Sequence, residues 1–317
     1  MGNSKSSMFP TSLLMELSMR HSRVGYFLSA FSNAASYLLS PPLLLGVTHV
    51  IHSASPLPGL HITNPVKELL EPAIHGTKTM IRSAAKAGTV RKLVVTSSVA
   101  SIFDNSAPAG TVFNEEKWNP ITWDQAVSIS EEIAKTGDAS QVFIVYSASK
   151  KLAEKAVWDE VEKLGKPFPV ATVNPVFIFG PEILSGMHLG TGTNAFMWEG
   201  LSKRPLTESR GSLGWVDVRD VAAAHYQALI DDKANGQRFL TSTKQVTNTE
   251  LIDIAFKHFD EKKLGFGKPE EVQGKDGWTV IDGSKIEKVL IGFKYRDFEQ
   301  SVVDFINAKL ASQAGKL

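Results

Sequence analysis

Lys92-Leu93-Val94-Val95-Thr96-Ser97-Ser98 decides how this chain folds. The run is short and apolar, without the alternation that marks a strand with one wet face, so it reads as a buried parallel strand. It ends in three hydroxyl residues. Upstream, residues 47–53 repeat the pattern, and Asn64-Pro65 opens a short helical turn. A helix follows over residues 72–86, with Pro72 in its first turn and Gly88 as its stop. Its apolar positions Ile74, Met80, Ile81 and Ala84 fall mostly on one face. Downstream, residues 124–135 and 142–163 read as helices. Residues 170–173 form the next strand, stopped by Asn174-Pro175. Strands alternating with helices predict an α/β fold built on a doubly wound parallel sheet. Ligands of such sheets lie outside the carboxyl ends of the strands, where Ser98 and Asn174-Pro175 both fall.

Beyond Gly180 the regularity weakens. Helices are predicted over 194–201, 220–230, 248–259 and 298–310, with a strand over 238–241. These pieces read as a smaller, substrate-facing lobe. The domain reading is therefore an atypical segment over 1–45, a core over 46–180, and a lobe over 181–317 with some segments returning to the core.

Composition bounds the function. The chain has 317 residues, 43% hydrophobic and 21% charged, as in a soluble globular protein. A net charge of +1 gives no reason to expect a nucleic acid partner. There is no cysteine, so disulfides and thiolate chemistry are excluded, and a reducing, cytoplasmic setting is expected. The eight histidines show no short-spaced pair, which argues against a zinc site. Residues 24–46 carry no charge, but their serines, Asn33 and Pro41-Pro42 make a poor membrane span.

The chemistry concentrates in Tyr146-Ser147-Ala148-Ser149-Lys150. A phenol and an ammonium one helical turn apart project from one face. A neighbouring ammonium favours the phenolate, which makes the phenol a usable proton donor near neutral pH. Taken alone, the pair is equally a surface helix pair.

Four stretches in order resemble the extended short-chain dehydrogenase/reductases, in the branch of fungal aldehyde and ketone reductases related to dihydroflavonol reductase. They are His49-Val50-Ile51-His52-Ser53-Ala54-Ser55-Pro56, Val94-Val95-Thr96-Ser97-Ser98, Tyr146 through Glu154, and Asn174-Pro175-Val176-Phe177-Ile178-Phe179-Gly180-Pro181. Glu116 to Thr122 and Trp215 to Ala222 support them. The resemblance implies a Rossmann-like core and NADPH-dependent reduction of a ketone or aldehyde, with NAD the less favoured cofactor. Ser98 would hydrogen-bond the substrate oxygen, Tyr146 would give the proton, and Lys150 would lower the Tyr146 pKa and bind the nicotinamide ribose. Thr96, Ala54 and Ser55 would lie along the cofactor, the last two near its diphosphate or adenosine ribose. Asn174-Pro175 would end its strand beside the nicotinamide, with backbone groups of Val176 and Ile178 lining the ring. Each of these residues has a structural reading as well: strand-end serine, Pro turn, core packing. Asp217, Arg219 and Asp220 read as a capping and salt-bridge cluster. Trp118, Trp123 and Trp215 read as core or lid aromatics, and Phe103, Val176 and Phe177 as pocket wall or core.

In one respect the chain departs from the family pattern. It lacks the Gly-x-x-Gly-x-x-Gly turn that holds the cofactor diphosphate at a helix N-terminus. Residues 1–45 stand in place of about one βα unit. A mis-assembled or alternative start, a truncated paralogue, or an irregular filling of the gap would each produce this. The rival functions are a sugar-nucleotide epimerase or dehydratase of the same fold, and a non-catalytic interaction module. The substrate, a role in secondary metabolism or aldehyde detoxification, and the oligomeric state stay open.

Overall fold

The computed structural model describes residues 44, 46–58, 62–181, 192–202, 214–268 and 278–314. Most of the atypical segment 1–45 therefore lies outside the described residues. Leu44 is described and belongs to the core: it is fully buried, and its carbonyl accepts from Val47 N at 3.0 Å.

The strands in chain order are β1 His49–His52, β2 Lys92–Thr96, β3 Val112–Phe113, β4 Val170–Pro175, β5 Phe177–Phe179, β6 Trp215–Asp217, β7 Arg238–Thr241 and β8 Val280–Ile281. The helices are α1 Glu71–Ala87, α2 Trp123–Thr136, α3 Val142–Lys163, α4 Gly192–Ser202, α5 Val218–Ile230, α6 Asn248–His258, α7 Glu261–Leu264, α8 Lys285–Val289 and α9 Phe298–Gln313. Strands β1, β2, β4 and β7 form one sheet in that order, and every pairing is parallel.

The period of two explains both covers of this sheet. Val50, Leu93, Val95 and Val170 face α1 and α3, where they meet Met80, Ile81, Val157 and Val161. Val94, Ala171, Val173 and Phe239 face the other way, against Ala224, Ala228 and Leu229 of α5 and Ile286 of α8. A strand buried on both faces has no room for polar alternation, hence the unbroken apolar run in the sequence.

The helix ends obey local chemistry. In α2, Thr122 accepts from Gln125 N while the Gln125 side chain accepts from Thr122 N, a reciprocal capping box, and Gly137 closes the other end in the left-handed conformation. Gly88, at φ 68°, closes α1 in the same way.

Helix α5 and strand β7, both from the second half of the chain, are part of the main sheet and its cover. A second apolar cluster joins β5 and β6 to α4, α6 and α9 through Phe179, Met197, Trp215, Leu251 and Phe305. Strands β5 and β6 were not legible as strands in the sequence. Each is three residues long; β5 lies between Pro175 and Gly180, and β6 directly follows Gly214. Among the described residues no helix is long and apolar enough to cross a membrane, and no cluster of His, Asp and Glu could hold a metal ion.

Candidate active site

On the side facing α3, the sheet changes character along its strands. Its amino half is apolar, whereas its carboxyl half presents His52, Thr172, Asn174 and Arg238. Helix α3 crosses above, and its positions 146, 150 and 154 follow one another at one-turn spacing. The sequence-predicted residues meet at this end of the sheet.

Ser98 follows β2 with extended backbone and caps the short turn Val99–Ser101, accepting from Ala100 N at 3.1 Å. Its side chain lies beside the Tyr146 hydroxyl and favours the ionised phenol. Tyr146 is buried against Leu69 and Ala100, and Phe143 stacks on it at 5.4 Å between ring centroids. Burial pushes the phenol up to about 12, opposed by Ser98. Lys150 lies one turn further along α3. Its Nζ stands 5.3 Å from the centroid of the Tyr146 ring, and burial brings the ammonium itself down to about 8. Burial disfavours the charged form of each group and so moves the two in opposite directions. Among the described residues no carboxylate forms an ion pair with Lys150.

Lys150 opens into a narrow cleft at the carboxyl ends of β1 and β2, and Ala54, Ser55 and Thr96 line that cleft with it. His52 lines it too; burial and then the charge of Lys150 push this imidazole down to about 4. Thr96 is held from behind. Its Oγ1 lies 2.7 Å from His225 Nε2, while His225 Nδ1 lies 2.8 Å from the Val221 carbonyl. Nδ1 must therefore carry the proton, so Thr96 donates to Nε2. Hydroxyls and one ammonium suit the oxygen-rich ribose end of a nicotinamide dinucleotide. The residues that would replace the missing glycine turn lie outside the described residues.

Asn174 lies at the carboxyl end of β4. Its side chain points under the site rather than into the cleft, donating to Glu154 Oε2 at 2.7 Å and to Ser101 Oγ at 3.0 Å. Pro175 pairs with Thr241 in the sheet. Val176 spends its N–H on the Thr241 carbonyl at 3.2 Å and packs in the core with Val99, Ile102 and Val216. Ile178 borders the same cluster, and its carbonyl accepts from Thr193 Oγ1. Asp217, Arg219 and Asp220 cap and bridge as read: Asp217 accepts from Arg219 N at 2.7 Å and pairs with its guanidinium at 2.6 Å, and Asp220 pairs with Arg296. Trp215 is core, Trp123 is exposed, and Trp118 stacks under the Arg238 guanidinium at 3.7 Å. Phe103 packs on Phe113, and Phe177 on Trp215.

Sequence reasoning gave no role to Glu154, Ser97, Ser101, Asn119 or Arg238. Glu154 was visible as the third member of the Tyr146, Lys150 stripe. Arg238 was not, because a strand that begins with an arginine usually places it in solvent. Asn119, also buried, donates to the carbonyls of Ala100 at 2.5 Å and Ser147 at 2.9 Å, tying the turn after Ser98 to α3 beside Tyr146.

Residues 42–221 match the family model described as "Male sterility protein". A putative NADPH-dependent methylglyoxal reductase of Candida albicans is 35% identical over 273 residues, 82% of this chain and 75% of that protein. A ketoreductase of Aspergillus fumigatus is 29% identical over 273 residues, 84% of this chain and 78% of that protein. The crystal structure of yeast methylglyoxal/isovaleraldehyde reductase complexed with NADPH superposes with a TM-score of 0.73 at 29% identity, covering 90% of this chain and 82% of that one. A UDP-glucose and NAD complex at 16% identity, with a TM-score of 0.59, shares the fold alone. The fold and its cleft are those of a nicotinamide-dependent oxidoreductase with a doubly wound sheet. The chain belongs to the extended short-chain dehydrogenase/reductase family.

Proposed function

We propose that this chain reduces a ketone or aldehyde to an alcohol with NADPH, using Ser98, Tyr146 and Lys150. The observation that carries the reading is the Ser98–Tyr146 hydroxyl pair beside the cleft that holds Lys150, Ala54, Ser55 and Thr96. NADPH is the cofactor named for the relatives, and bound in the cleft it supplies the hydride. The chain's own residues do the rest. Ser98 and Tyr146 would together hold the carbonyl oxygen as negative charge develops on it. Tyr146, kept protonated by burial, would give its proton to that oxygen. Lys150 would donate to the nicotinamide ribose and hold the cofactor's register. The compartment we propose is the cytoplasm, on the absence of cysteine.

The test is calorimetric titration of the purified chain with NADPH, NADH and a UDP-sugar, followed by turnover with methylglyoxal and simple ketones. Micromolar NADPH binding with carbonyl turnover is the expected result. Binding of the UDP-sugar without carbonyl turnover would move the assignment to an epimerase or dehydratase. Binding of neither by the folded chain would make it a non-catalytic member of the family.

A further inference from the structure

The buried carboxylate under the site has no part in the chemistry just described, yet more groups converge on it than on any reacting residue. The Glu154 side chain has no exposed surface. Its Oε1 accepts from Arg238 Nε at 2.6 Å and from Thr172 Oγ1 at 3.1 Å. Its Oε2 accepts from Ser97 Oγ at 2.5 Å, Ser101 Oγ at 2.6 Å and Asn174 Nδ2 at 2.7 Å. These donors come from the turn that follows β2, from β4 and from β7, so one side chain of α3 is bonded to two strands of the sheet and to the turn leaving a third. The Arg238 guanidinium is neutralised there and spends further N–H groups on the carbonyls of Glu115 at 2.5 Å and Lys117 at 2.8 Å.

Two of these donors also reach Ser98. Its carbonyl lies 2.8 Å from Ser101 Oγ and 3.4 Å from Asn174 Nδ2. The same pair of side chains thus touches Glu154 on α3 and the backbone of Ser98 on the β2 turn. Tyr146 rides on α3 two turns before Glu154, at a rise of about 12 Å along the axis. Slippage of α3 along the sheet is opposed by short charge-assisted bonds, which are more directional than apolar packing.

We infer that Glu154, with Ser101 and Asn174, is the positioning element that sets the Ser98–Tyr146 hydroxyl separation, and so the alignment of substrate oxygen, proton donor and hydride. The inference rests on the proposed roles of Ser98 and Tyr146. It assigns Glu154 no contact with substrate and no proton transfer.

The test uses Ser101→Ala and Glu154→Gln in the full chain, beside Tyr146→Phe, with methylglyoxal as substrate and NADPH either unlabelled or deuterated at the transferred position. Both variants are expected to lose about tenfold or more in kcat, because small misplacements at a reacting centre are costly. The NADPH KM should stay within about twofold, and the deuterium effect on kcat should rise as hydride transfer becomes limiting. A merely structural role would lower the amount of active enzyme and leave the isotope effect where it was. A kcat within about twofold of wild type, or an unchanged isotope effect, overturns the inference. If Glu154→Gln does not fold, Ser101→Ala decides alone, since it removes one hydroxyl from a site it otherwise fills. Loss of turnover in Tyr146→Phe alongside unaffected Ser101→Ala and Glu154→Gln would refute the positioning element while keeping the catalytic reading. Retained turnover in Tyr146→Phe would refute that reading itself.

Discussion

Beneath the site, one carboxylate gathers five donors from two strands and the turn after β2, whereas the cluster formed by β5, β6, α4, α6 and α9 is held by interleaved rings. Phe179 alone meets Trp215, Phe298 and Phe305 edge-on, at centroid separations of 5.7 to 6.2 Å. The two regions solve different problems. Ring packing is strong but weakly directional, so it holds a layer together while tolerating changes of side-chain shape. The Glu154 network fixes atoms at hydrogen-bond distances, at the expense of burying an ion pair whose desolvation offsets much of its attraction. Directional bonding stands under the residues proposed to react, and apolar packing stands where a substrate-facing wall is proposed.

The sharpest way to break the contrast is Arg238→Met. It leaves Glu154 charged, buried and without its cation, and should cost about 3–5 kcal/mol of stability in chemical denaturation. Adding Glu154→Leu should recover only part of that loss and no turnover, since it removes the uncompensated charge but leaves Ser97, Ser101, Thr172 and Asn174 without their acceptor. Acid titration comes next. His52 is held at about 4 in the folded chain against 6.5 unfolded, so between those values the unfolded state binds the extra proton. The corresponding stability is complete above pH 6.5 and is lost as pH falls toward 4, on the order of 3 kcal/mol at the limit. His52→Gln should flatten the denaturation midpoint across that window. In the apolar cluster, Met197→Leu at a fully buried position should cost less than about 1.5 kcal/mol and leave NADPH binding unchanged. The smallest effect is on cofactor affinity. With Lys150 brought down to about 8, NADPH binding should weaken as pH rises through that value, and Lys150→Met should remove the dependence measured by calorimetry.

How much of this was legible in the sequence follows from where each signal resides. The four strands of the main sheet announce themselves as short apolar runs because both faces are covered. The first long helix announces itself through Pro72 in its first turn and Gly88 as its stop. Ser98, Tyr146 and Lys150 could be picked out because chemistry restricts residue type and spacing within one turn or one strand end. The supporting network could not. Glu154 and Arg238 are 84 residues apart, and their meeting is a product of the parallel order β2, β4, β7. Asn174 could be placed at its strand end, but a motif does not say to which face a side chain points. The period of two does: Thr172, Asn174 and Arg238 share the α3 face, and Asn174 turns under the site with them. The pKa directions of Tyr146 and Lys150 were not legible for a similar reason. Spacing sets their proximity, but the burial that pushes the two groups in opposite directions is a property of the packed structure.

The central claim is that Tyr146 supplies the proton for carbonyl reduction by NADPH. Its most direct test is the rate of NADPH absorbance loss with methylglyoxal for the wild-type chain and for Tyr146→Phe, with folding of both checked by circular dichroism. The account predicts turnover in the wild type and a loss of about 10²–10⁴-fold in the variant. A variant within a few-fold of wild type would contradict it.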